Sequence, residues 1–242
     1  MKKFLLITNI FLLLITVILI LEGGLWKRTI QYLAGKLNIQ TEYHYTDNPK
    51  YKPGVENFML FNKQADIVML GNSITAGIDW NELLERKDIV NRGINGDITE
   101  GMLSRMESVL KVKPKACFFL GGINDLTRRL PTEEIIANIK EIMNILLKNE
   151  IKPVLQSVIY NNGMYYSHEH NNPLVTKINA ELKKYAEEKE ILFLDLNKVL
   201  SENNLLKPEY THDGLHLNAE GYVVWGKLVQ ETIESGKLKI EN

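Results

Sequence analysis

The sequence predicts a parallel sheet covered by helices on both faces, a three-layer α/β/α sandwich, and three observations predict it. Short apolar runs alternate with helical patterns from about residue 66 onward. The runs are continuous rather than alternating, as in strands buried on both sides. Each run is followed by a polar segment, and most of these carry glycine, so the special residues collect where strand carboxyl ends share one edge.

In chain order, residues 4–21 come first: 18 residues without a charge, long enough as a helix to span about 27 Å. Lys2 and Lys3 precede the run, which predicts a start in the cytoplasm and export of the remainder; Lys27 and Arg28 on the far flank oppose that inference. We read residues 1–25 as a transmembrane signal anchor, with a cleaved signal peptide and a secreted domain as the competing reading. Residues 26–42 form a juxtamembrane linker helix with Ile30, Leu33, Ala34 and Leu37 on one face, suited to a lipid surface or to packing on the domain. The globular domain takes residues 43–242 and opens on a tyrosine-bearing loop through residue 54.

The strands expected are 66–70, 88–91, 115–120, 153–159 and 191–194, which together make a flavodoxin-like sheet. Ile135, Ile136, Ile139, Ile142, Met143 and Leu146 recur at helical spacing behind Thr132, a candidate N-cap. Leu174, Val175, Ile178, Leu182, Tyr185 and Ala186 do the same before the fifth strand. The last helix starts at Asn218 and buries Tyr222, Trp225 and Val229. Cys117, the only cysteine, lies in an apolar strand and reads as a small buried hydrophobe. A net charge of −1 provides no basic field for nucleic acid.

The loops at the strand ends carry the chemistry. Acyl transfer needs a nucleophile, a base, a group that orients the base, and donors for the oxyanion. Ser73, after the first strand and ahead of a helix, is the candidate nucleophile; His216 is the base and Asp213, three residues earlier, its orienter. The oxyanion donors expected are the N–H groups of Ser73 and Gly93 and the side-chain amide of Asn124. His212 is a weaker base candidate, and Asp97 and Asp125 read first as loop braces. Asn72, Asp125, Tyr160 and Tyr165 are the candidates for substrate contact, the tyrosines within a loop over 160–172 expected to face the substrate. His168, Glu169, His170 and the His212–His216 segment hold metal-ligand residue types, but His212 and His216, though four apart, lie in a glycine-bearing loop rather than on a metal helix, so neither metal nor cofactor is expected.

In order, Gly71-Asn72-Ser73, Gly93 with its neighbours, Gly122-Ile123-Asn124-Asp125 and Asp213-Gly214-Leu215-His216 resemble the blocks of the SGNH hydrolases, the GDSL family of lipases and esterases, over residues 64–230. Residues 67–75 and 216–222 look most like the branch with platelet-activating-factor acetylhydrolase subunits and bacterial acetylesterases. The resemblance implies a three-layer fold, no metal, and hydrolysis of a small acyl ester. Asn72 departs from it, standing where the family name calls for aspartate. An exported domain with a polar loop directs the expectation to an acetyl or other short acyl group on a carbohydrate. An acyltransferase sharing the acyl-enzyme, a lysophospholipase or lipase, and a non-catalytic anchored binding module are the alternatives.

Overall fold

The computed structural model describes residues 43–238. The expected anchor at 1–25 and linker helix at 26–42 lie outside the described residues. Among the described residues no helix is long and apolar enough to cross a membrane.

Five parallel strands form the sheet: β1 (Ile67–Gly71), β2 (Ile89–Gly93), β3 (Ala116–Leu120), β4 (Lys152–Gln156) and β5 (Leu192–Leu194), in the order β2-β1-β3-β4-β5. Every residue of β1 and of β3 is buried, which is why both read as unbroken apolar runs. The helices that frame the site are α1 (Ser73–Ala76), α2 (Trp80–Leu83), α3 (Thr99–Ser104), α4 (Ile123–Thr127), α5 (Thr132–Lys148), α6 (His168–Glu188) and α7 (Ala219–Glu234). From β1 the chain steps outward to β2, then back across β1 to β3 and on to β5. Right-handed crossovers therefore put α1 and α2 on one face and α3, α5 and α6 on the other. Contacts follow that division: α5 packs on α3 and α6, while α7 packs on α2. Trp80 and Trp225 seal the second layer edge to face, with ring centroids 4.6 Å apart, and Trp225 Nε1 donates to Gln156 Oε1 at 2.6 Å. The reversal of strand order between β1 and β3 opens the crevice where ligands bind in sheets of this kind.

Several boundaries differ from expectation: strand ends shift by up to three residues, Gly93 falls inside β2, and a helix at Tyr51–Leu60 takes over the end of the opening loop. β4 ends at Gln156 although the apolar run continues to Ile159. Its neighbour β5 stops at Leu194, and the Val158 N–H and C=O instead bond the Asn179 side chain, at 2.8 Å each. Thr132 does not cap α5: Pro131 holds that position and the Thr132 hydroxyl donates to Glu133 at 3.0 Å. Asn218 does cap α7, accepting from the Gly221 N–H at 3.0 Å. A small hairpin of β6 (Ser201–Glu202) and β7 (Leu205–Leu206) also forms. Its turn residues Asn203 and Asn204 sit at φ 50° and 60°, a conformation asparagine tolerates best among side-chain-bearing residues.

Candidate active site

β1 delivers the chain to Asn72, whose Oδ1 accepts the Ile74 N–H at 2.9 Å and caps α1, with Ser73 as its first residue. Asn72 is buried, so it shapes the turn and does not reach a substrate. Ser73 Oγ lies 2.9 Å from His216 Nε2, and His216 Nδ1 lies 2.6 Å from Asp213 Oδ2. A carboxylate only accepts, so the ring proton belongs on Nδ1 and the Nε2 lone pair faces the serine hydroxyl. Asp213 Oδ1 accepts from the N–H groups of Leu215 at 2.9 Å and His216 at 2.8 Å. Partial burial pushes the Asp213 carboxyl up, but the His216 ring and these backbone donors outweigh it and hold it below its ordinary value.

The histidine segment is tied to the rest of the site at three points. The Gly214 carbonyl accepts from Asn162 N–H at 2.8 Å, and the Gly214 N–H donates to Thr211 Oγ1 at 2.9 Å. Downstream, Tyr222 on α7 donates to the Ile74 carbonyl of α1 at 2.8 Å, joining the helix that follows the histidine to the helix that carries the serine.

Gly93 does not offer the donor expected of it. Its N–H is already given to Asn91 Oδ1 at 2.8 Å. A Cβ on Gly93 would sit 2.4 Å from the Ala76 nitrogen, so its missing side chain lets α1 press against β2. Three residues on, Gly96 occupies a turn closed by the Asp97 N–H to the Ile94 carbonyl at 3.1 Å, with φ +75°, which favours glycine. Among the described residues the N–H groups of Gly96 and Ser73 have no acceptor. Asn124, on α4, gives one amide hydrogen to the Asp97 carbonyl at 2.8 Å and keeps the other.

Two buried carboxylates fix this turn. Asp97 pairs with Arg105 at 2.8 Å, both side chains fully buried, and Arg105 also donates to the Gly71 carbonyl at 3.0 Å. Burial raises the Asp97 carboxyl against the pull of Arg105. Asp125 Oδ1 accepts from the Thr99 N–H at 3.0 Å and hydroxyl at 2.6 Å, while Oδ2 has no partner among the described residues. Burial, partly offset by the Thr99 bonds, pushes Asp125 up to about 6. Asp125 is thus a brace for α3 and not a substrate contact.

The two tyrosines part company. Tyr160 is buried with its hydroxyl 2.9 Å from Thr176 Oγ1, because the segment from 160 to 162 is packed inward by asparagine hydrogen bonds. It cannot meet a substrate. Tyr165 is half-buried and lies against Gly214, next to the histidine segment. Residues 168–172 of the expected loop form the start of α6, leaving Gly163, Met164 and Tyr166 as the exposed part. His168 Nδ1 lies 2.7 Å from the Tyr165 carbonyl. Among the described residues no group of three His, Cys, Asp or Glu is placed to hold a metal ion. Sequence reasoning missed Gly96, Asn162 and Tyr222; only Gly96 had a local signal, the Asn95-Gly96 dipeptide of a turn.

The GDSL-like lipase/acylhydrolase family matches residues 69–224. N-acylneuraminate cytidylyltransferase of Streptococcus agalactiae is 31% identical over 170 residues, covering 70% of this chain and 38% of that protein. The chain therefore spans well under half the length of that relative. Platelet-activating factor acetylhydrolase IB subunit alpha1 of Rattus norvegicus is 26% identical over 175 residues, 66% of this chain and 72% of that one. A crystal structure of a GDSL-like lipase from Bacteroides thetaiotaomicron superposes with a TM-score of 0.66 at 26% identity, covering 77% of this chain and 98% of the other. The family match spans residues 69–224, more than half of the chain, and the chain belongs to the GDSL-like lipase/acylhydrolase family.

Proposed function

We propose that the enzyme hydrolyses a short-chain acyl ester, acetyl foremost, by covalent catalysis at Ser73. The observation that carries this reading is the unbroken chain from Ser73 Oγ through His216 to Asp213, at 2.9 and 2.6 Å. Ser73 Oγ attacks the carbonyl carbon while His216 Nε2 takes its proton; the tetrahedral oxyanion is held by the Ser73 and Gly96 N–H groups and by the Asn124 amide. His216 then protonates the departing alcohol, leaving an acyl-serine. Water, deprotonated by the same nitrogen, attacks that ester, and the carboxylic acid leaves as Ser73 recovers its proton. Asp213 holds the ring and steadies the imidazolium without taking the proton.

A carbohydrate as the alcohol is supported by the streptococcal relative, whose name places an N-acylated sugar acid among its substrates. The uncharged run at 4–21 behind Lys2 and Lys3 supports an anchored domain outside the cytoplasm; protease added to intact cells that leaves the domain untouched sinks that placement. The chemistry is tested with the full-length protein on p-nitrophenyl esters. Turnover should be highest for acetyl over butyryl and octanoyl, and should fall by about 10⁴ to 10⁶ in Ser73→Ala. Turnover at the original rate in that variant defeats the serine mechanism. A phosphonate on Ser73 should shift the amide resonance of Gly96 and leave that of Gly93 in place; the opposite pattern returns the oxyanion donor to Gly93.

A further inference from the structure

We propose that Arg128 forms an anion-binding subsite on the Gly96–Asn124 side of the active site, so that the preferred ester carries a carboxylate or phosphate group elsewhere in its structure. This rests on the serine-esterase reading and adds to it the charge of the substrate.

Arg128 closes the helix that carries Asn124. Its backbone N–H bonds the Asn124 and Asp125 carbonyls at 3.1 and 3.0 Å, and its Nη1 donates to the Asn124 carbonyl at 3.0 Å. The guanidinium also lies over the Tyr43 ring, 4.4 Å from the centroid. A long flexible side chain is thereby held in one place. Nη2 comes within 3.6 Å of where a Cβ on Gly96 would stand, which sets the cation against the turn that holds the unpaired Gly96 N–H.

Asp97 and Asp125 act on that charge through space, but neither pairs with it directly. Among the described residues Arg128 forms no ion pair within 4 Å, whereas the buried Arg105 is paired with Asp97 and the half-buried Arg86 with Asp88. Both carboxylates are buried and bonded elsewhere, Asp97 to Arg105 and Asp125 to Thr99. Arg128 itself is half-exposed, open to a solute. A planar guanidinium that is fixed, partly open and unpaired is suited to the fork geometry of a carboxylate or phosphate. A neutral acetylated sugar would leave that cation unanswered.

The test compares three substrates acetylated at the same ring hydroxyls: methyl galactopyranoside, its C6 carboxylate (the uronate) and its 6-phosphate. The wild-type, full-length enzyme should show kcat/KM about 10-fold or more higher for one or both anionic esters than for the neutral one. That ratio should fall with added salt, drop to about 1 in Arg128→Gln, and stay intermediate in Arg128→Lys. The larger of the two anionic ratios assigns carboxylate or phosphate. Equal rates on all three esters overturn the subsite, as does a ratio unmoved in Arg128→Gln. Equal losses on charged and neutral esters in that variant would reduce Arg128 to a support for Asn124 and overturn it too. p-Nitrophenyl acetate separates the two levels: turnover lost in Ser73→Ala with a ratio of 1 removes only the subsite, while turnover surviving in Ser73→Ala removes the mechanism beneath it.

Discussion

The serine half and the histidine half of the site are held in different ways. Ser73 follows a strand buried at every position and paired on both sides, and Asn72, Ile74 and Thr75 around it are buried as well. His216 and Asp213 have side chains 45% and 53% exposed, on a segment held by a hydrogen-bond network and by the buried Leu215 and Leu217 that flank the histidine. Core packing therefore sets where the nucleophile stands, while the base relies on polar contacts in addition to the packing of its two leucine neighbours. Damage to the first half should appear as lost stability, and damage to the second as lost rate.

The largest effect breaks the second half alone. His216→Ala should lower kcat by about 10⁴ to 10⁶ with little change in melting temperature. Asn72→Ala, on the serine side, removes a helix cap worth about 1 kcal/mol and should lower Tm by about 2–4 °C. A Tm loss in His216→Ala larger than that in Asn72→Ala would contradict the division. Asn124→Ala follows, with about 10² to 10³ in kcat for one oxyanion donor; a loss confined to KM would reassign it to ground-state binding.

Asp125 probes stability beneath the oxyanion side. Its carboxyl titrates at about 6 in the folded protein and near 4 when unfolded, so the folded state holds its proton more tightly. The penalty for ionising it is absent below about pH 4, grows as pH rises between the two values, and reaches about 3 kcal/mol above pH 6. Asp125→Asn keeps an acceptor for Thr99 and removes that penalty. Denaturant titrations should show it gaining on wild type from pH 4 to 7; a constant difference across that range rules the account out. The smallest effect belongs to Asn162, whose side chain bonds the Leu206 carbonyl at 2.6 Å and the Met164 N–H at 3.0 Å. Asn162→Ala should loosen the Gly214 contact and lower kcat about 10-fold, because small misplacements of a base cost rate. An unchanged kcat would show that Asp213 and Thr211 fix the segment unaided.

The sheet and its helices were legible because their signals are local: apolar runs for β1 and β3, and 3.6-residue spacing for α5. Ser73, Asp213 and His216 were legible as residue types at strand ends. What sequence could not supply was the destination of particular hydrogen bonds. Gly93 and Gly96 look alike on paper, yet only the fold reveals that Asn91 has claimed the first N–H. Tyr160 reads as a surface aromatic until Asn161, Asn162 and Asn172 draw its segment inward. Asn162 and Tyr222 act across 52 and 148 residues, on Gly214 and Ile74 respectively, beyond any local pattern.

The burial of Cys117 bears on how this enzyme can be watched. It is the chain's only cysteine, fully enclosed in β3, and burial pushes its thiol up to about 12, so it stays unionised and out of reach of alkylating reagents. Gly163 has nothing within 4 Å of where a side chain would begin, and it follows the residue bonded to Gly214. Gly163→Cys would therefore accept a maleimide dye at a single position without removing any native cysteine, placing a fluorescent reporter next to the contact that ties the histidine segment to residue 162.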